Sequence, residues 1–441
     1  MILQWGLLFF LVTCLVDGLG GNESLLSVFI LARHGERYPC HILRHPGYPK
    51  EFMKMRCQLT ETGARQHFEL GRFIGRRYSS LLTWKGFKRN DVHIRSTGTE
   101  RTILSATYFG LGLDSSKEVK LPVLPAVFSS PKRHDYLLKM SYPCSAFDKL
   151  YEKALTSNLT RDFINRMRGL FDDLNNFTEF NFESDSLHKY LPKLWDLCES
   201  IHAWDKLERD TKGESLPFTS DLASACHRAL SFRQQLLFSS PAQTFFRGGP
   251  LWRHVLLTLK SRISPGEKNI LPLEIADIDA LDIPIVSDSR LFAYFAHDST
   301  LTAFLSHLGA FNNILPPYAS AVIVELHRLV HGELALRFFY HNESKLSPSQ
   351  LIPLTTELCG GKGAYWCPLE VLEDRLHGKA ATDMENACTA DETSSSSISL
   401  AASALAASIL FAFVLPIGFI IRVLLCLISI LLTYRFLFPI V

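Results

Sequence analysis

The chain contains no Gly-x-x-x-x-Gly-Lys-Ser/Thr loop, no His-Glu-x-x-His and no Cys-x-x-Cys. The first absence removes the phosphate cradle of nucleotide-hydrolysing P-loops, and the other two remove the simplest zinc sites. His41-x-x-x-His45 has helical metal spacing, but Pro39 and Pro46 bracket it and argue for a loop. No metal and no cofactor is therefore expected. A charge excess is missing as well: 46 Lys and Arg face 44 Asp and Glu, a net +2 over 441 residues. Bulk electrostatics give no reason to expect a nucleic acid partner. The local groups Arg72, Arg76, Arg77 and Lys85, Lys88, Arg89 read as solvated faces. There is no internal repeat, and no low-complexity stretch beyond one serine run. What remains is 47% hydrophobic and 11% aromatic, as a large globular core requires.

The ends of the chain address compartment. Residues 1–21 read as a signal peptide: Leu7–Val16 has the length of its apolar core, and Gly18, Gly20 and Gly21 offer small residues for cleavage. No Lys or Arg precedes that core. At the other end Ile398–Ile421 is uncharged and long enough to span a bilayer, and Val423–Thr433 continues apolar after Arg422. Residues 393–441 are thus read as a membrane anchor, either a transmembrane helix or a GPI signal preceded by the small residues Thr393–Ser397. Retained anchoring is the preferred reading, because the tail is long and interrupted by arginine. Secretion implies an oxidising compartment. Of ten cysteines, Cys14 and Cys426 fall in these end segments and eight remain, an even number suited to disulfides. Sequons at Asn22, Asn158, Asn176 and Asn342 are expected glycan sites.

Between the ends, apolar runs alternate with helical patterns. Leu25–Ala32 reads as a buried strand, and Thr60 can cap a helix whose apolar side includes Phe68, Leu70, Phe73, Ile74 and Tyr78. Asp91–Ile94 reads as a strand ending at Arg95-Ser96-Thr97, followed by a helix from Glu100. Residues 144–237 show helical spacing and few strand runs, and are read as a helical cap inserted in the chain. Pro241–Pro250 reads as the return linker, Arg290–Ala296 as a core strand and Leu301–Leu308 as a helix. Ala321–Leu329 and Leu334–Tyr340 resemble a hairpin, and Leu358–Cys388 reads as irregular. The expectation is an α/β fold with a largely parallel central sheet flanked by helices. Residues 22–143 and 238–392 form its body.

Chemistry concentrates at strand ends. Arg33-His34-Gly35-Glu36-Arg37-Tyr38-Pro39 sets a histidine between two arginines just after the first strand. Guanidinium donors match phosphate oxygens, and neighbouring cations keep an imidazole neutral and nucleophilic. Two other strand ends carry Arg95-Ser96-Thr97 and His297-Asp298. Ligands of open α/β sheets bind outside the carboxyl ends of the strands, so these three groups converge if their strands are neighbours.

The segments LARHGERYP, LTETGARQHFELGRFIGRRY, IRSTGTERTILSA, LWDLCESIHA, FAHDSTL, LPPYAS and WCPLE run in order over most of Leu26–Cys388. With them the chain resembles the histidine acid phosphatases, within the histidine phosphatase superfamily, and among these the animal prostatic and lysosomal enzymes. The resemblance implies a phosphoglycerate-mutase-like fold and hydrolysis of phosphomonoesters without cofactor. His34 would be the nucleophile, Asp298 the proton donor, and Arg33, Arg37, Arg95 and His297 the groups holding phosphate. It also implies homodimers and the pairs Cys359–Cys367 and Cys144–Cys388, with Cys40–Cys57 a pair particular to this chain. Where relatives often have a cysteine after LPPYAS this chain has Ala321, so Cys226 stands as an alternative partner for Cys198. Other readings are a phytase-like or mutase-like phosphoryl-transfer enzyme, and a non-catalytic surface receptor or adhesin on the same fold. Loss of a core residue would favour the receptor, and all are present.

Overall fold

The computed structural model describes residues 23–82, 91–113, 124–211, 216–263, 289–343, 351–354, 359 and 365–389. The expected signal peptide, Asn22, the 83–90 basic cluster and the apolar tail lie outside them. Among the described residues no helix is long and apolar enough to cross a membrane.

An eight-stranded sheet organises the fold. Its strands are β1 (Ser24–Arg33), β2 (Val92–Thr97), β3 (Val127–Ser130), β4 (Leu291–Ala296), β5 (Ala321–Arg328), β6 (Leu334–His341), β7 (Ile352–Leu354) and β8 (Cys367–Pro368). The order is β3-β2-β4-β1-β5-β6-β7, with β8 also paired to β6. The α/β architecture with a central sheet matches the expectation, but the sheet is mixed. β3, β2, β4 and β1 run parallel, whereas β5, β6, β7 and β8 pair antiparallel. The reversal has a local cause. Arg33 N–H donates to Ser320 O at 2.9 Å, so the chain enters β5 beside the exit of β1 and must run back along it.

The helices, in chain order, are α1 (Lys50–Lys54), α2 (Glu61–Arg77), α3 (Glu100–Leu113), α4 (Ser145–Leu155), α5 (Asn158–Arg166), α6 (Arg168–Phe177), α7 (Leu191–Thr211), α8 (Ser220–Phe238), α9 (Pro241–Phe246), α10 (Gly248–Lys260), α11 (Asp298–His307), α12 (Leu369–Leu376) and α13 (Met384–Thr389). β1 is apolar on both faces because both are covered. Val28, Ile30 and Ala32 pack with Leu70, Ile74 and Phe109 of α2 and α3, while Phe29 and Leu31 pack with Trp252, Leu301 and Phe304 of α10 and α11.

The stretch read as a cap carries α4–α8, and the core there includes Trp195, Trp204 and the stacked rings of Phe163 and Phe232 at 3.9 Å and also takes in Leu43, Tyr48, Phe52 and Leu315 from outside it. Asn158 and Asn176 are exposed on it, and Asn342 is half-buried at the end of β6. Two sequence readings change here. Pro241–Phe246 is helical rather than a linker, because Ser240 and Gln243 form a capping box and Pro241 opens the helix. Leu358–Cys388 is not wholly irregular: Leu369, Leu372 and Leu376 bury one face of α12. Disulfides join Cys40–Cys57, Cys144–Cys388, Cys198–Cys226 and Cys359–Cys367.

Candidate active site

β2, β4 and β1 are parallel neighbours, so Thr97, Ala296 and Arg33 end at one crevice. The loop after β1 lies directly on the start of α2. A Cβ on Gly35 would sit 2.3 Å from Gly63 O, and one on Gly63 would sit 2.2 Å from Glu36 O. Both glycines are therefore required for this approach. Thr60 caps α2 by accepting from Gly63 N–H at 2.9 Å and donates to the Glu36 carboxylate at 3.0 Å. Gly35 N–H donates to Ser105 Oγ at 3.1 Å. The backbone holding His34 is thus fixed by α2 and α3 together.

His34 is buried, and its Nδ1 lies 2.8 Å from Gly35 O. With the proton on Nδ1 that nitrogen donates to the carbonyl, and Nε2 keeps its lone pair. Burial, then the guanidiniums of Arg101, Arg33 and Arg37, push the imidazole well below its ordinary pKa. Both effects favour the neutral form of the imidazole, the form in which a ring nitrogen can act as a nucleophile.

The cations around it are held individually. Arg33 pairs with Asp298 at 3.0 Å, donates to Pro316 O, and lies 4.2 Å over the ring of Tyr318. Arg37 pairs with Glu199 at 2.5 Å, and Glu199 also accepts from Cys40 N–H at 3.1 Å. Burial opposes the Arg37 charge, but Glu199 outweighs it and raises the pKa. Arg101, on the first turn of α3, lies 3.4 Å from His297 Nδ1. Burial, then the Arg37 charge, lowers the pKa of Arg101 to about 10. The Nε atoms of Arg33, Arg37 and Arg101 are buried with no hydrogen-bond partner among the described residues. Three crowded guanidiniums with unused donors call for an anion.

His297 is the N-cap residue of α11, and its Nε2 lies 3.1 Å from Thr97 Oγ1. Burial and Arg101 lower its pKa to about 3. Its ring is 5.6 Å from that of His34. Burial raises the pKa of Asp298, but Arg33 and His297 outweigh burial and keep it an ionised carboxylate.

One sequence assignment is corrected. Arg95 does not join this group. It pairs with buried Asp135 at 2.9 Å, donates to Ser130 Oγ at 3.2 Å, and lies over Tyr294. The arginine acting most strongly on His34 is Arg101, which sequence reasoning passed over. Glu199 and Tyr318 were also missed as individuals, although both lie in the segments LWDLCESIHA and LPPYAS. His41 faces Asp196 at 3.4 Å and His45 stacks on Phe177, in a stretch without helix.

The model of the histidine phosphatase superfamily (branch 2) matches residues 24–341. The chain belongs to this superfamily. As one of its histidine phosphatases it is a hydrolase. It is 27% identical to the lysosomal acid phosphatase of Xenopus laevis over 407 residues, 87% of this chain and 84% of that one. It is also 27% identical to the prostatic acid phosphatase of Bos taurus over 364 residues, 78% and 84% of the two chains. Among solved structures, a Hafnia alvei phytase superposes with a TM-score of 0.62 at 16% identity, over 84% of this chain and 99% of that one. At that identity the likeness is one of fold.

Proposed function

We propose that this histidine phosphatase hydrolyses phosphate monoesters at acid pH through a phosphohistidine on His34. The observation that carries the reading is a neutral His34, with Nε2 free, enclosed by Arg33, Arg37 and Arg101 beside Asp298. The arginines take the phosphate oxygens and neutralise charge in the transition state. Nε2 attacks phosphorus, the ester P–O bond breaks, and Asp298 gives a proton to the departing oxygen. Water then attacks the phosphohistidine, its proton passes to Asp298, and orthophosphate leaves with His34 restored.

The proton has a source in the substrate. Asp298 is ionised while paired with Arg33. A phosphomonoester loses its second proton near pH ~6. Below that it arrives as a monoanion, competes for Arg33 and supplies the proton that Asp298 takes up. An acid optimum follows from this.

The test uses radiolabelled substrate and rapid alkaline quench, since acid destroys phosphohistidine. His34→Ala is expected to show no label and no turnover, and label in that variant overturns the nucleophile. Asp298→Asn is expected to slow labelling about 100- to 10,000-fold from alkyl phosphates. From nitrophenyl phosphate, whose leaving group needs little proton help, it slows far less. Equal losses place the proton donor elsewhere.

The secretory and anchoring readings belong to the same proposal. They rest on residues 1–21 and on Ile398–Ile421. With a retained anchor, detergent releases activity from membranes and phosphatidylinositol-specific phospholipase does not; release by the lipase decides for a GPI anchor.

A further inference from the structure

The cap sends a second set of polar side chains toward the site, and phosphate chemistry does not use them. On α7, Glu199, His202 and Lys206 stand at i, i+3 and i+7, on one face. Glu199 holds Arg37, which fixes that face toward the crevice. On α8, His227 and Ser231 share a face, and Ser231 Oγ accepts from Leu315 N–H at 3.0 Å. That contact ties α8 to the loop carrying Tyr318. The Cys198–Cys226 bridge fixes the two helices against each other, one residue from Glu199 and one from His227.

The rings form a path out of the phosphate site. The Tyr318 ring is 5.8 Å from His34 and 6.2 Å from His202, and His202 is 5.2 Å from His227. His202 is buried, while His227 and Lys206 are half-buried. Burial, the His227 ring, and the charges of Arg33, Lys206 and Arg37 keep His202 below its ordinary pKa. Burial, then Lys206, Arg33 and Arg228, do the same for His227, with Asp205 opposing. Each imidazole has an N–H to donate, in a field that is positive on balance.

We infer that His202, His227 and Lys206 form a leaving-group subsite that takes a second anionic group on the substrate, several bonds from the phosphate being cleaved. Two ring-to-ring steps, through Tyr318, lie between His34 and His202, a spacing that suits a group several bonds from the ester. The favoured substrate is a phosphomonoester of an extended alcohol ending in a carboxylate or a further phosphate. The inference rests on the phosphatase reading and adds the substrate class to it.

Two open-chain substrates separate the cases. 6-Phosphogluconate ends in a carboxylate, and sorbitol 6-phosphate carries a hydroxymethyl group in its place. The full-length enzyme is expected to prefer 6-phosphogluconate in kcat/KM. Lys206→Met is expected to reduce the ratio of the two kcat/KM values about tenfold, through KM, as loss of a charge-assisted contact does. Lys206→Glu is expected to invert the preference, and His227→Gln to reduce it. Competitive inhibition by orthophosphate, which fills only the arginine site, checks that each variant is folded. No preference in the unaltered enzyme, or a ratio unmoved by Lys206→Glu, overturns the subsite. No turnover of either substrate, nor of nitrophenyl phosphate, overturns the phosphatase reading instead.

Discussion

At the residue scale the two arginines of the segment Arg95–Arg101 do different work. Arg95 is buried against Asp135, which is itself buried, and removing the guanidinium strands a carboxylate in the core. Arg95→Ala is expected to destabilise the protein by about 3–5 kcal/mol in denaturant titration. Arg101 lies 3.4 Å from His297 Nδ1 and acts on His34, and its loss relieves the crowding with Arg37. Arg101→Ala is expected to keep stability and to lower kcat/KM about 100- to 1,000-fold. The reverse pattern would return the phosphate to Arg95. The error in reading the sequence has a plain cause. An arginine at a strand's end catches the eye, but the crevice is also faced by the next helix's first turn, where Arg101 sits. That Arg33, His34, His297 and Asp298 end at one crevice was legible because each stands at the end of an apolar strand run, with Arg37 in the loop that follows the first. Glu199 was not, since nothing in local sequence says that a cap helix reaches Arg37.

At the scale of elements, the parallel half of the sheet was legible from apolar runs alternating with helices, and the β5–β6 hairpin from two runs around His331-Gly332. The antiparallel join of β5 to β1 was not, because it is set by where the LPPYAS loop lands in space. Among the described helices α7 bears most directly on the proposed function, because its Glu199 carboxylate holds Arg37, one of the arginines proposed to take phosphate. On the proposed reading Glu199 positions Arg37. Glu199→Ala is expected to raise the orthophosphate inhibition constant about tenfold, as a lost charge-assisted bond does. Glu199→Gln, which keeps an acceptor, is expected to fall between. An unchanged constant in both would make the α7–Arg37 contact incidental to binding.

At the scale of the whole molecule, acidity works against stability. Burial, with Arg95 and Lys379 acting on His93 and His307, lowers their pKa values to about 4. Burial lowers those of His67 and His254 to about 3. In the unfolded chain each imidazole titrates near ~6.5. Between those values the unfolded state binds more protons, so stability falls as pH falls below ~6.5, by up to about 1.4 kcal/mol per pH unit for each group. Glu325 adds to this at lower pH. Burial raises its pKa, but the contacts from His327, Tyr78 and Arg77 outweigh burial and lower it, so its contribution is lost on acidification. The melting temperature is expected to drop steadily from pH 7 to pH 4.5 and to recover partly with added orthophosphate. A flat profile would mean that these histidines are already charged in the folded protein.

The bridge between Cys144 and Cys388 spans 244 residues and encloses the cap, α10, β4 and α11. It makes most of the chain a covalent hoop. A protease that cuts one loop inside the hoop cannot set a fragment free, because both new ends remain tethered through the sulfurs. The nicked molecule runs as one band without reductant and as two with it, and it keeps the His34 and Asp298 sides of the site in a single particle. For this hydrolase, cleavage and inactivation are thereby separate events.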